Sequence, residues 1–447
     1  VIPRISGLLA VVVAVAVVAG PPAGAIAPPE VDPGATPPPG SAGPPVPMVQ
    51  RGQCAVTGVL PDTDPRASTP NQLSLTLAEA WQHSRGDGQP VAVIDTGVQP
   101  GPRLPNVEAG GDLVESSDGR TDCDGHGTLV AGLIAGQPGD DGFSGVAPGA
   151  RLISIRQTSA KFAPRSLGAD AAEARAAVEV ASLARAVVRA ADLGARVINI
   201  SAVTCLAANK TIDQTGLGAA LRYAAVQKDA VIVAAAGNVR GGMTTGSTCE
   251  TNSGGWADVT SVSIPSWWQP FVLSVGSVAV SGSPSLFTMA GPWLGIAALG
   301  ENIVSLSNAP GGGLANGLPN DQSELSAISG TGYAAAYVSG VAALVRSRFP
   351  DLTAAEVIHR ITATAHGAAR SPSNLVGAGR VDALAALTWD VAQIPRPDAA
   401  AVRKVAAPQA PPQKDTTPRN VAFIGAAGLI ATALVVLGLL RRKDSAP

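Results

Sequence analysis

The chain has 447 residues, 46% hydrophobic and 14% charged, with a formal net charge of −2. That length supplies one large core with appendages. The balanced charge gives no basic footprint for nucleic acid, and four histidines without a Cys-x-x-Cys pair argue against zinc, so neither a metal nor a cofactor is expected.

Residues 1–25 read as a secretory signal: Arg4, an apolar run over 8–19, then Ala23-Gly24-Ala25 as a small-residue cleavage site. A retained anchor is the competing reading, but the run is short of the ~20 residues a span needs. Prolines gather at 21–47 and 395–418, composition expected of extended linkers flanking a folded body. The N-terminal of these belongs to a Pro-rich extension over 26–72.

From 73 to 389, β-branched runs alternate with Ala-rich stretches. The pattern predicts strands at 91–94, 152–155, 197–200, 231–235 and 272–275, and helices at 127–135, 171–193, 216–228, 331–349 and 353–365. Near-continuous apolar strands separated by helices specify an α/β fold, a parallel sheet covered by helices on both faces. Such sheets bind ligands beyond the carboxyl ends of their strands. After a linker at 390–420, residues 421–440 form an apolar run of the ~20 residues that cross a bilayer. Arg441, Arg442 and Lys443 then open a tail, 441–447, that the positive-inside rule places in the cytoplasm. Together the two ends predict a single-pass type I membrane protein with its body on the extracytoplasmic side. Cys54, Cys123, Cys205 and Cys249 fit an oxidising compartment. Three pairings are open; Cys54–Cys123 and Cys205–Cys249 are expected, because each closes a loop within one neighbourhood.

Four motifs fall where such a sheet binds ligands. Asp95 closes the strand of VAVIDTGV, His126 opens the small-residue helix of DGHGTLVAGLIAG, and Asn238 follows the strand of VIVAAAGN. The fourth, ISGTGYAAAYVSGVAALVRSRFP, runs from a glycine-rich turn into a helix whose alanines and glycines let it lie deep against other backbone. Arg346 and Arg348 in its last turn complement the helix dipole. Its first N–H groups, from Thr331 to Ala334, have no partner within the helix. Taken singly, an Asp at a strand end is a cap and a His at a helix start is a structural residue.

In this order and spacing, over about 300 residues, the motifs resemble the subtilisin-like serine proteases, or subtilases. The resemblance implies that Asp95 orients His126 and that His126 is a general base. It further implies that Asn238, with the backbone N–H at 332, binds an oxyanion. Ser201, Ala202 and Val203, together with Ala235, Ala236 and Gly237, resemble the two walls of a primary specificity pocket. The family carries its nucleophilic serine where this chain has Gly332, which has no side chain to attack with. Ser329 precedes the turn and Ser339 lies two helical turns on, so neither can occupy the tip. A later family proline is replaced by Ala336. In a subtilisin, loss of the nucleophile costs about 2 × 10⁶ in kcat.

A narrower resemblance is to the mycosins, the membrane-anchored subtilases of type VII secretion systems. It rests on the signal, the Pro-rich extension, two cysteine pairs, the body, the linker, the terminal span and the run YAAAYVSGVAALVRSRFPDLTAAEV. It implies partners in a type VII secretion membrane complex, a peptide or protein substrate, and a cell-membrane location. It also implies that the extension, tied by Cys54, packs around the body instead of acting as a simple inhibitory propeptide; a disordered linker is the alternative. Two functions follow. One is a cleavage-deficient structural component of the complex. The other is an active endopeptidase processing secreted substrates, with Gly332 an engineered or erroneous residue.

Overall fold

A computed structural model describes residues 26–166, 171–239, 244–246, 249–320, 322–368 and 372–391. The segments 1–25 and 421–440, expected to be a signal and a membrane span, lie outside them. Among the described residues the central sheet has seven strands. They are β1 (Pro90–Asp95), β2 (Val107–Asp112), β3 (Arg151–Arg156), β4 (Val197–Ile200), β5 (Val231–Ala235), β6 (Val272–Val278) and β7 (Leu294–Leu299). Their order is β7-β6-β5-β4-β1-β3-β2, and every neighbouring pair is parallel. From β1 the chain builds β2 and β3 to one side and the remaining strands to the other. The order therefore switches between β1 and β4, the place where an open parallel sheet offers a crevice beyond its carboxyl ends.

Besides two short helices before β1, Pro70–Ser74 and Leu77–Ala80, the helices among the described residues are α1 (His126–Ala135), α2 (Ala171–Asp192), α3 (Thr215–Arg222), α4 (Thr331–Arg348), α5 (Ala354–Ala363) and α6 (Ala383–Thr388). Helix α4 packs on β4, β5, β6, β7 and α1, while α2 packs on β1, β3 and β4 and against α3. From Thr331 to Arg346 every residue of α4 is buried. Its small side chains permit this: a Cβ at Gly340 would come within 2.5 Å of Val146 Cβ. Arg346 does more than complement the helix dipole. Fully buried, it sends Nη1 to Asp229 Oδ2 at 3.0 Å and to the Leu352 carbonyl at 2.7 Å, tying the helix end to the turn before β5.

Two strands of the central sheet were not expected. Strand β2 carries Gly110 and Gly111 and a register shift against β3 between Ala109 and Gly111, so its apolar pattern is interrupted. Strand β7 reads LGIAAL, with one β-branched residue in six. The helix expected at 216–228 is corrected: α3 ends at Arg222 and passes into a π turn, Tyr223–Gln227, in which Lys228 N–H bonds the Tyr223 carbonyl at 3.0 Å.

The segment before β1 is laid along this body. Gly43 N–H donates to the Asp112 carbonyl at 2.7 Å, Met48–Gln50 pairs antiparallel with Phe162–Pro164, and Gly58 bridges Gly317. Cys54 is joined to Cys123, and Cys205 to Cys249.

Candidate active site

Asp95 is the last residue of β1 and is fully buried. Helix α1 starts opposite it, and its approach requires a glycine after the histidine: a Cβ on Gly127 would lie 2.0 Å from the Gly97 carbonyl oxygen. With the two backbones this close, His126 Nδ1 is 2.7 Å from Asp95 Oδ1. The same carboxylate oxygen accepts the Thr96 N–H at 2.7 Å. Burial alone would push the imidazole pKa down, but the Asp95 charge and hydrogen bond, with Asp122 and Asp124 nearby, outweigh it and raise the pKa above 6.5.

A second carboxylate, which sequence reasoning missed, holds this helix start. Asp122 Oδ1 accepts from Thr96 Oγ1 (2.8 Å), Asp124 N (3.1 Å) and Gly125 N (2.8 Å). Its Oδ2 accepts from Thr128 N and Oγ1 at 2.8 and 2.6 Å. Burial pushes the Asp122 pKa up to about 6, against these hydrogen bonds. The signal was present in the sequence as an acidic residue four before His126, placed to meet the free N–H groups of a helix start. Asn308 adds a clamp from the other side: its Nδ2 donates to the Asp122 and Ala55 carbonyls at 3.0 and 2.9 Å, and its Oδ1 accepts the Thr57 N–H at 3.0 Å. The N-terminal segment is thereby bonded, with the Cys54–Cys123 disulfide, to the loop carrying His126.

Asn238 lies three residues past β5. Its Oδ1 accepts from Thr331 N at 3.0 Å and Thr331 Oγ1 at 3.1 Å, while Thr331 Oγ1 accepts the Gly237 N–H at 3.2 Å. With its oxygen so used, Nδ2 is the group of the amide left to donate to a ligand, alongside the first-turn N–H groups of α4. For Thr331, the residue setting this orientation, the sequence offers only its free N–H at the helix start, not a hydroxyl bonded to Asn238.

Gly332 completes the arrangement. A Cβ built on it would stand 3.3 Å from His126 Nε2, 3.0 Å from the Ser201 carbonyl oxygen and 3.1 Å from Ser201 Cβ. The next residue, Tyr333, sets its ring 5.0 Å from that of His126. Burial, reinforced by the Asp95 and Asp122 charges, raises the Tyr333 phenol far above its usual range, so it stays neutral. Ser201, Ala202 and Val203 leave the end of β4, and Ala235, Ala236 and Gly237 close and leave β5, the adjacent parallel strand; all six are buried. Behind the second wall, a Cβ on Gly237 would meet Cys249 Sγ at 3.2 Å, so the Cys205–Cys249 disulfide backs it. Asp95, His126, Asn238 and Gly332 thus meet in one place. Chemically, the place offers a histidine whose Nε2 can accept a proton, donors for a developing negative charge, and no side chain at 332.

A carboxylate–imidazole pair beyond the strand ends, facing an Asn and a helix N-terminus, is the arrangement of a subtilase, and the Subtilase family model matches residues 86–379. Within that family the chain belongs to the mycosins. It is 60% identical over 459 residues to Mycosin-3 of Mycobacterium tuberculosis (strain ATCC 25618 / H37Rv), covering 99% of this chain and 100% of the relative. Among solved structures it is similar to the MycP3 protease from the type VII (ESX-3) secretion system, at 70% identity and a TM-score of 0.79 over 82% of this chain and 100% of that one. It is also similar to a chain of the intact ESX-5 inner membrane complex, at 44% identity and a TM-score of 0.78 over 93% of this chain and 100% of that one.

Proposed function

We propose that the chain is a structural component of a type VII secretion complex at the cell membrane, retaining a peptide-binding cleft but unable to cleave through an acyl-enzyme. The observation that carries the second half is Gly332: the position facing His126 Nε2 has no hydroxyl. The first half is supported by similarity to a chain of the intact ESX-5 inner membrane complex. In this reading Asp95 orients His126, Asn238 Nδ2 and the N–H at 332 bind a carbonyl oxygen, and the segments at Ser201–Ala202–Val203 and Ala235–Ala236–Gly237 hold a side chain of an extended peptide. The signal at 1–25 and the span at 421–440 deliver and anchor the body outside the cytoplasm.

The test is complementation. In a strain lacking the chain, the Gly332 form and a Gly332→Ser form should restore assembly and export equally. Export that requires Gly332→Ser would overturn the structural role. The second reading, an active endopeptidase with Gly332 engineered or erroneous, is favoured by one observation. The Asp95–His126 hydrogen bond, at 2.7 Å, and the donors at Asn238 are complete around the missing serine.

A further inference from the structure

We propose that the Gly332 protein hydrolyses peptides slowly by direct attack of water, and that glycine, in contrast to alanine, is what admits that water. The inference rests on the reading above, that no serine here forms an acyl-enzyme. Three observations carry it.

The first is space. The CH₂OH that a serine would add at 332 occupies roughly the ~30 Å³ share of one water. The second is the polar lining. His126 Nε2 and the Ser201 carbonyl oxygen stand 3.3 and 3.0 Å from the position a Cβ would take. A water held off from the glycine Cα by van der Waals contact enters beside the wall that carries these two acceptors. The third is the tautomer. Asp95 Oδ1 accepts from Nδ1–H, which leaves the neutral imidazole with its lone pair at Nε2. A methyl group at 332 would occupy the position beside both acceptors.

The water oxygen bonds to the peptide carbonyl carbon while its proton passes to His126 Nε2. The carbonyl π pair moves onto oxygen, which takes hydrogen bonds from Asn238 Nδ2 and the N–H of residue 332. On collapse the C–N bond breaks and the Nε2 proton goes to the leaving nitrogen. One water is consumed, and a carboxylic acid and an amine are released. No bond to the protein forms. General-base help from a positioned histidine is typically worth 10²–10⁴-fold.

The experiment follows release from a peptide p-nitroanilide over hours to days. The Gly332 protein, Gly332→Ala and His126→Ala are prepared in parallel, each with thermal unfolding to show that it is folded. The expected result is a rate for the Gly332 protein at least tenfold above both variants, linear from time zero. Added hydroxylamine, a competing small nucleophile, should divert part of the product to the hydroxamate in the Gly332 protein alone. Equal rates for the Gly332 protein and Gly332→Ala would overturn the water route. If Gly332→Ala does not fold, the route stands or falls on the tenfold gap to His126→Ala together with the hydroxamate. A burst of product with covalent labelling of the Gly332 protein would instead overturn the reading beneath it, that no serine attacks.

Discussion

His126 Nδ1 lies 2.7 Å from Asp95 Oδ1, and the opposite nitrogen of the same ring stands 3.3 Å from the place where a side chain at residue 332 would begin. One hydrogen bond therefore fixes both the tautomer of the histidine and the direction in which its lone pair points.

The raised His126 pKa sets the pH dependence of a restored enzyme. A general base must be neutral, so in Gly332→Ser the acid limb of kcat/KM should lie above pH 6.5, with activity rising through it toward alkaline pH. Asp122 contributes to raising that pKa, so adding Asp122→Asn should move the limb to lower pH. A pH–rate profile of the two variants checks this; a limb at or below 6.5 in Gly332→Ser contradicts it.

Stability should be greatest in mild acid. Asp122 is raised from 3.8 to about 6 in the folded state, so between those values the folded chain holds a proton that the unfolded chain has released. Its contribution is thus gained progressively as pH falls from 6 to 3.8 and lost as pH rises through that window, about 3 kcal/mol in all at ~1.4 kcal/mol per pKa unit. His126 acts in the same sense: its contribution is fully present below 6.5 and is lost as pH rises through its raised folded pKa. The melting temperature should therefore be higher near pH 4.5 than near pH 8, and Asp122→Asn should reduce the difference. An unchanged difference in that variant would remove Asp122 as its cause.

These carboxylates show what was legible in the sequence. Asp95 and His126 were readable because each sits in a short motif at a sheet or helix boundary, and Asn238 because it follows an unbroken apolar strand. Asp122 and Thr331 were not, since their roles depend on which backbone groups the fold brings to them. Asp122 draws on Thr96 and Thr128, residues from two separate elements. Strand β2 was hidden for a different reason: Gly110 and Gly111 interrupt its apolar pattern at the register shift. The sheet and the long buried helix, by contrast, follow directly from continuous runs of β-branched and small residues.

Thr331 should matter through Asn238. It supplies both hydrogen bonds to Asn238 Oδ1, so Thr331→Val keeps the shape and the N–H but removes the hydroxyl bond. In the Gly332→Ser background kcat should fall by at least tenfold with KM little changed, the signature of an interaction made in the transition state. A change confined to KM would show that Thr331 does not act through the oxyanion donors.

Both disulfides close long loops, with sequence separations of 69 and 44 residues. On the chain-entropy relation each is worth about 4 kcal/mol. Paired Cys→Ser changes at either bridge should lower the melting temperature. In Gly332→Ser the Cys54/Cys123 pair should lower kcat, since that bridge adjoins the loop carrying His126, whereas the Cys205/Cys249 pair should act on KM, since that bridge backs the pocket wall at Gly237. Equal effects of the two pairs on turnover would contradict this division.

The central claim is that the site lacks one atom group and is otherwise assembled. A fluorophosphonate probe tests it most directly, because only an activated hydroxyl is phosphonylated. The Gly332 protein should remain unlabelled, Gly332→Ser should label at residue 332, and His126→Ala in that background should abolish the labelling. Labelling of the Gly332 protein at another serine, or a folded Gly332→Ser protein that stays unlabelled, would contradict the account.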